Sequence, residues 1–265
     1  MPVMDEFKEE REALKHGTPK QKFAYFLDYY KWHVIIAVAV IGFAASLIYQ
    51  SVTRKETAFF AAVVNAFEMV SPEEHIQSFA DYAGIDRGEY DVAFDSSIRI
   101  DNSSMTQDTI TSTQNLMVLI AASEIDVGLG DDGLIEQYAY NDSFYDIREV
   151  LTQEQIEKYE SRFFYMDQAV AEAISAAQED PDYDYSQAPS HPDPKKPEAM
   201  ERPVPVGIYL DGADSLGEVY YFTGGDAVLA VSATSPNLET VPKYVDFLLD
   251  PQAAEPNVPE QAAGH

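Results

Sequence analysis

The sequence predicts an α/β protein: one N-terminal transmembrane helix, then an external domain with a mainly parallel or mixed sheet covered by helices. Three observations carry this expectation. Val34 to Tyr49 (VIIAVAVIGFAASLIY) is an uncharged apolar run of 16 residues. Downstream, short apolar runs that suit buried strands alternate with segments of helical period. The charge is also partitioned. Residues 1–32 carry six basic and six acidic side chains, whereas residues 56–265 carry 9 basic and 40 acidic ones.

The membrane segment is assigned to residues 32–50. At 1.5 Å per residue, Trp32 to Tyr49 covers about 27 Å, close to the thickness of a hydrocarbon core. Trp32 and Tyr49 suit the two interfaces, and the apolar residues occupy every face of the helix instead of one stripe. A cleaved signal peptide is the rival reading. The long charged segment before the apolar run is unlike a signal-peptide n-region, so an uncleaved signal anchor is expected. Lys15, Lys20, Lys22 and Lys31 precede the span and only Arg54 and Lys55 follow it. That excess places the N-terminus in the cytoplasm and the C-terminal domain outside the cell membrane.

Residues 1–31 read as a short cytoplasmic region. Asp5 to Lys15 is a charged helix, Gly17-Thr18-Pro19 breaks it, and Phe23, Phe26, Leu27 and Tyr30 fall at helical spacing in an amphipathic lead-in. The external domain is expected over 56–177 and 204–250. Ala58 to Asn65 is an apolar run suited to a central strand. Pro72 to Ala83 follows as a helix, with Ser71 as N-cap and Gly84 as the stop. Tyr90, Val92 and Phe94 alternate with polar residues as a second strand. Thr106 to Ser123 is a helix. Ile125 to Leu129 is a strand ending in Gly130-Asp131-Asp132-Gly133, before a short helix over Leu134 to Tyr140. Thr152 with Gln155 forms a capping box. Gln178 to Arg202 holds five prolines and many acids, and 178–203 is read as a disordered insert. Val204 to Leu210 is a strand, placed by Pro205 near an edge or at the strand start. Ala227 to Ser232 is another strand. Leu238 to Leu249 is the closing helix with Asn237 as its cap, and 251–265 is a disordered tail.

Composition excludes several chemistries. There is no cysteine, hence no disulfide, thiolate metal site or cysteine nucleophile, and an exported domain built this way points to a bacterial surface. The acidic domain is repelled by nucleic acid and anionic lipid; a cation, a cationic peptide or a basic protein surface suits it better. No nucleophile elbow, zincin motif or phosphate loop is present. Gly128-Leu129-Gly130-Asp131-Asp132-Gly133 has dinucleotide-loop spacing, but two carboxylates stand where phosphate would bind; a tight turn with Asp131 or Asp132 capping the next helix is the better reading. Asp180, Asp182 and Asp184 open like a calcium loop, yet Tyr185 and His191 replace the required glycine and glutamate. Of the histidines only His75 lies in ordered external sequence, without a second one beside it. No catalytic residue, metal ligand or cofactor is therefore assigned, and the chain is read as a non-enzyme, with an external hydrolase as a third class of reading.

Two groups of segments resemble bacterial extracellular solute-binding proteins of the kind that feed ABC transporters. The first comprises Asp126 to Asp131, Tyr138-Ala139 and Phe144 to Leu151. The second comprises Pro205 to Ile208, Ala230 to Ser232, Ser235-Pro236-Asn237 and the helix to Leu248. The resemblance implies a single truncated lobe behind the signal anchor, with one wall of a cleft. In open α/β sheets ligands sit beyond the carboxyl ends of the strands. Those ends supply the candidate ligand-binding residues Asn65, Asp95, Ser96, Asp131, Asp132, Ser232 and Thr234, with Tyr221 as a stacking surface beside the Gly-Gly turn. The expected function is a membrane-anchored module that binds a small solute or peptide without catalysis. The alternative is a protein–protein interaction subunit of a cell-surface complex, with a membrane protein as partner and no nucleic acid.

Overall fold

The structure, a computed structural model, describes residues 18–53, 55–101, 104, 106–178 and 189–250. The expected helix at Asp5–Lys15, the Asp180, Asp182 and Asp184 triplet and the tail from 251 lie outside these residues. The chain divides into two compact units, Met1–Lys55 and Glu56–His265.

The first unit contains one continuous helix, α1 (Pro19–Thr53). In its apolar stretch, Trp32–Tyr49, no residue is buried in the protein. An 18-residue, mostly apolar stretch with no buried residue suits an apolar surrounding, and its length and composition fit a single membrane span or a signal sequence.

The second unit is an α/β domain. Its strands are β1 (Glu56–Val63), β2 (Ala66–Glu68), β3 (Tyr90–Asp95), β4 (Val127–Asp131), β5 (Phe163–Asp167), β6 (Pro203–Tyr209), β7 (Tyr220–Phe222) and β8 (Ala227–Val231). The helices are α2 (Glu73–Ala83), α3 (Gln107–Ala121), α4 (Asp132–Ala139), α5 (Gln153–Tyr159), α6 (Gln168–Gln178), α7 (Asp214–Gly217) and α8 (Val241–Leu249). Six strands form a mixed sheet in the order β3-β1-β4-β8-β6-β5, and β2 pairs with β7 in a separate antiparallel ribbon. The pairs β1–β3 and β1–β4 are parallel, and the remaining pairs of the main sheet are antiparallel.

β1 is central because it is apolar on both faces. Phe59, Ala61 and Val63 join α2 and α8 in one core, where the rings of Phe59, Phe79 and Tyr244 meet at centroid distances of 4.7–4.8 Å. Ala62 and Val64 face Leu116 of α3 and Leu134 and Tyr138 of α4 on the other side. A third cluster joins α4 to the far half of the sheet through Tyr140, Phe164, Val206 and Val228.

Local signals place the helix ends. Gly84 ends α2 at φ 72°, a left-handed conformation that favours glycine. Thr106 caps α3, Asp131 caps α4, and the Thr152–Gln155 capping box opens α5. Two expected caps are different. Ser71 is not the cap of α2: Pro72 occupies that position, and the Ser71 hydroxyl accepts only a 3.4 Å bond from Glu73 N. The closing helix starts at Val241, not Leu238, because Asn237 is bonded elsewhere and the chain turns through Asn237–Thr240 first.

Of the proline-rich stretch expected to be disordered over 178–203, Gln178 ends α6, and residues 189–203 are among the described ones and hold defined contacts. Residues 189–202 lack a sheet of their own but borrow partners. Tyr165 N donates to Pro194 O at 3.1 Å, and the buried Asp167 carboxylate accepts from the backbone N–H groups of Glu201 and Arg202 at 2.8 and 3.0 Å. His191 stacks on Tyr140 at 3.8 Å, and Lys195 pairs with Asp226 at 2.6 Å. Residues 189–202 thus form a strap beside β5, a strand whose pattern is not apparent in the sequence. Of the two positions Pro205 allowed, the strand start is the one found, since β6 begins at Pro203. It lies between β8 and β5, and Pro205 is tolerated because β8 pairs only from Gly207 onward.

Candidate functional site

Of the residues at the carboxyl ends of β1, β3 and β4, Asn65 and Asp131 are bonded to each other, and Asp95, Ser96 and Asp132 are bonded to nearby backbone or to Glu68. Asn65, at φ 57°, turns its side chain back across the sheet. Its carboxamide accepts from Ile100 N at 2.8 Å and donates to Ile100 O at 3.0 Å and to Asp131 Oδ2 at 3.3 Å. The other Asp131 oxygen accepts from Leu134 N at 3.0 Å. Asp95 accepts from Ser97 N at 2.8 Å in a local turn, and the buried Ser96 hydroxyl donates to Glu68. Asp132 accepts from Gly133 N at 2.9 Å and sits under the Gly224-Gly225 turn, where a side chain on either glycine would overlap Asp131 or Asp132.

Ser232 and Thr234 do not belong to this group. The turn at 223–226 lies over Asp131 and Asp132, so β8 begins at the carboxyl end of β4 and runs back antiparallel, pairing Asp131 with Ala227 and Val127 with Val231. The end of β8 therefore lies at the amino end of β4. There the Ser232 hydroxyl meets that of Thr234 at 3.1 Å, and Thr234 donates to Ile120 O at 3.0 Å.

That opposite end contains a group that sequence reasoning did not single out. Asp126 is fully buried, and its carboxylate accepts from Phe60 N at 2.8 Å, Ser235 Oγ at 2.6 Å, Asn237 N at 3.1 Å and Asn237 Nδ2 at 3.2 Å. It ties β1, β4 and the Ser235-Pro236-Asn237 turn together. Four donors satisfy the buried charge, which makes it a structural tie with no free lone pair directed at a ligand.

The ribbon of β2 and β7 presents a different surface. Phe67 and Tyr221 stand directly opposite each other in the antiparallel register, so their side chains share a face. Both point outward, at 54% and 60% exposure, and Met69 and Val70 follow at 54% and 56%. Tyr220, one residue along, is buried in the core. Apart from α1, the exposed large hydrophobic residues are these four plus Met117 and Val118 on α3, among the described residues. Two-thirds of the set therefore lie on one ridge. Arg99 lies over Phe67 at 4.8 Å, with its guanidinium held by the carbonyls of Ser96 and Ile98.

Val70 carries the ridge into a groove of about 660 Å³ along the first turns of α2 and a cleft of about 230 Å³ floored by His75 and Phe247. Glu74, Ser78, Ser215 and Glu218 line the cleft walls. The His75 ring is buried among Phe94, Tyr244 and Phe247, with Nε2 3.4 Å from the Tyr244 hydroxyl. Burial lowers its pKa to about 4, against a weaker opposing hydrogen bond to the Ser215 backbone, so the ring is neutral at physiological pH. An apolar cavity between α3, α4 and the sheet has only about 30 Å³, room for little more than a water. No group of three metal-ligating side chains occurs among the described residues. No protein-family model, curated protein or solved structure matches the chain.

Proposed function

We propose that this is a single-pass membrane protein whose acidic α/β domain lies outside the cytoplasm and docks a segment of another protein. The observation that carries the proposal is the ridge of Phe67, Met69, Val70 and Tyr221. It gathers exposed apolar side chains on a domain whose surface is otherwise strongly acidic. Clustered exposed hydrophobic residues rimmed by charge mark interaction surfaces. A solute site at the carboxyl ends of the strands has less support, because Asn65, Asp131, Asp95 and Ser96 direct their polar atoms at protein partners. The excess of lysine before the apolar helix supports a cytoplasmic N-terminus and an anchor that stays in place.

Two experiments test this reading. A photo-crosslinking residue is placed at position 67 and, as control, at position 118, in the native membrane. A discrete adduct from position 67 alone is expected; equal labelling at both positions, or none, refutes docking at the ridge. Unfolding of residues 56–265 is also followed against sugars, amino acids and divalent ions. A solute at about 100 times its dissociation constant would add roughly 2.7 kcal/mol, and such a rise would return the function to solute binding. The cysteine-free chain makes topology simple to read: Asp142→Cys reacts with an impermeant maleimide on intact cells only if the domain is external.

A further inference from the structure

We infer that the docked segment is cationic and amphipathic, with apolar side chains covering Phe67 and Tyr221 and a lysine or arginine entering the cleft between Glu74 and Glu218. The inference rests on the docking reading above and adds the chemistry of the partner. The ridge and cleft are continuous: Met69 N donates to Val219 O at 2.8 Å, and Val70 belongs to both. A segment lying on the Phe67–Tyr221 pair thus reaches the cleft without leaving apolar contact.

The charges along this path are unequal. Glu73 is bonded to Arg87 at 2.7 Å and is already neutralised. Glu74 and Glu218 have no cationic partner among the described residues, and both line the cleft. His75, between them, is held neutral by burial and adds no opposing charge. Arg99, the cation over Phe67, is engaged with two carbonyls and the Phe67 ring. A cleft of about 230 Å³ admits one long side chain. Phe247 on its floor provides an apolar wall for the methylene stem, and the carboxylates at the rim meet the charged head. The same charges disfavour the other occupants. A second copy of this acidic domain, or an anionic lipid surface, would bring like charge to the rim.

The test uses the full chain in nanodiscs of zwitterionic lipid, with empty discs as the blank. Three labelled 14-residue peptides are titrated by fluorescence anisotropy: alternating Leu and Lys, alternating Leu and Glu, and alternating Gly and Lys. The Leu/Lys peptide is expected to bind at least tenfold more tightly than either of the others. Replacing both Phe67 and Tyr221 with serine should weaken it about tenfold, as loss of a central anchor does. Replacing Glu74 and Glu218 with glutamine should weaken it about fivefold, in keeping with two partly exposed ion pairs. The same two neutralisations at Glu154 and Glu198, away from the ridge, should change it less than twofold. All these positions are exposed, so the fold is not at risk. If the Glu74/Glu218 pair behaves like the control pair while the serine variant loses binding, docking stands and the cationic partner is refuted. If the serine variant binds like wild type, the docking reading falls with it. Failure of the Leu/Lys peptide to exceed the other two refutes the inference directly.

Discussion

Protonation of His75 should destabilise the domain in mild acid. Its pKa of about 4 lies below the ordinary 6.5 because burial against Phe94, Tyr244 and Phe247 disfavours the charged ring. Between pH 6.5 and 4 the unfolded chain takes up a proton that the folded chain does not, so stability falls as pH falls through that window. The gap of about 2.5 units corresponds to roughly 3 kcal/mol at its limit, and to about 2.5 kcal/mol by pH 4.5. Urea unfolding of residues 56–265, followed by far-UV circular dichroism at pH 7, 6, 5 and 4.5, reads this directly. Tryptophan fluorescence does not serve, since the single tryptophan, Trp32, lies outside the fragment. The comparison is His75→Phe, which keeps an aromatic ring in the cluster and removes the titration. At pH 7 the variant should be about 1 kcal/mol weaker, because the Tyr244 hydroxyl and the Ser215 backbone lose a partner. By pH 4.5 wild type should have lost about 2.5 kcal/mol more than the variant, with the carboxylate titrations common to both. Parallel profiles would refute the reasoning.

Asp126→Ala should cost about 3 kcal/mol or more in the same assay, since it leaves the Phe60 N–H and the buried Ser235 hydroxyl without their acceptor; a loss under 1 kcal/mol would contradict the role of the carboxylate as a tie. Gly207→Ala should cost about 2 kcal/mol, because the new Cβ would lie 2.8 Å from the Leu229 carbonyl in the middle of the sheet. Gly225→Ala should cost under about 1 kcal/mol, since the obstructing Asp132 side chain can swing aside. Asp167→Ala should release the strap: limited proteolysis within 189–202 should accelerate while β1 and β4 stay protected, and an unchanged cleavage pattern would argue against anchoring by that carboxylate. Three backbone donors, from Glu201, Arg202 and Ala169, outweigh the upward push of burial and hold its pKa below the usual range. The strap should therefore loosen as pH falls below the carboxylate range.

The features visible in the sequence are those written in neighbouring residues. The apolar run of β1, the Gly84 stop, the Thr152–Gln155 box and the Asp131 cap each depend on contacts a few positions apart. What was hidden depends on distant partners. β5 is five residues long and lies between two helices, so its pattern is too short to separate from theirs. The direction of β8 follows from where the 223–226 turn rests, and that misplaced Ser232 and Thr234. Asp126 gains its meaning from Ser235 and Asn237, over a hundred positions later. The ridge rests on two three-residue strands whose pairing joins Phe67 to Tyr221. Residues 189–202 of the proline-rich stretch differ from the expectation because composition reports what a segment can build alone, whereas they use the hydrogen-bonding groups of others.

The closing helix has a consequence for how the chain reaches this state. Phe59 of β1 packs against Tyr244 of α8, and Asn237 Nδ2 donates to Thr57 O across 180 positions. The first strand of the domain therefore waits for α8 before one side of its core is complete. Contacts of such long sequence separation carry the cost of closing a large loop before they return any stability, which slows folding. During synthesis the growing chain can cover this face of β1 only with α2 until residues 241–249 have emerged. A chain ending at residue 240 would lose Tyr244, Val245 and Leu248 from the core that β1 shares with α2, so α8 acts as the latch for the first strand.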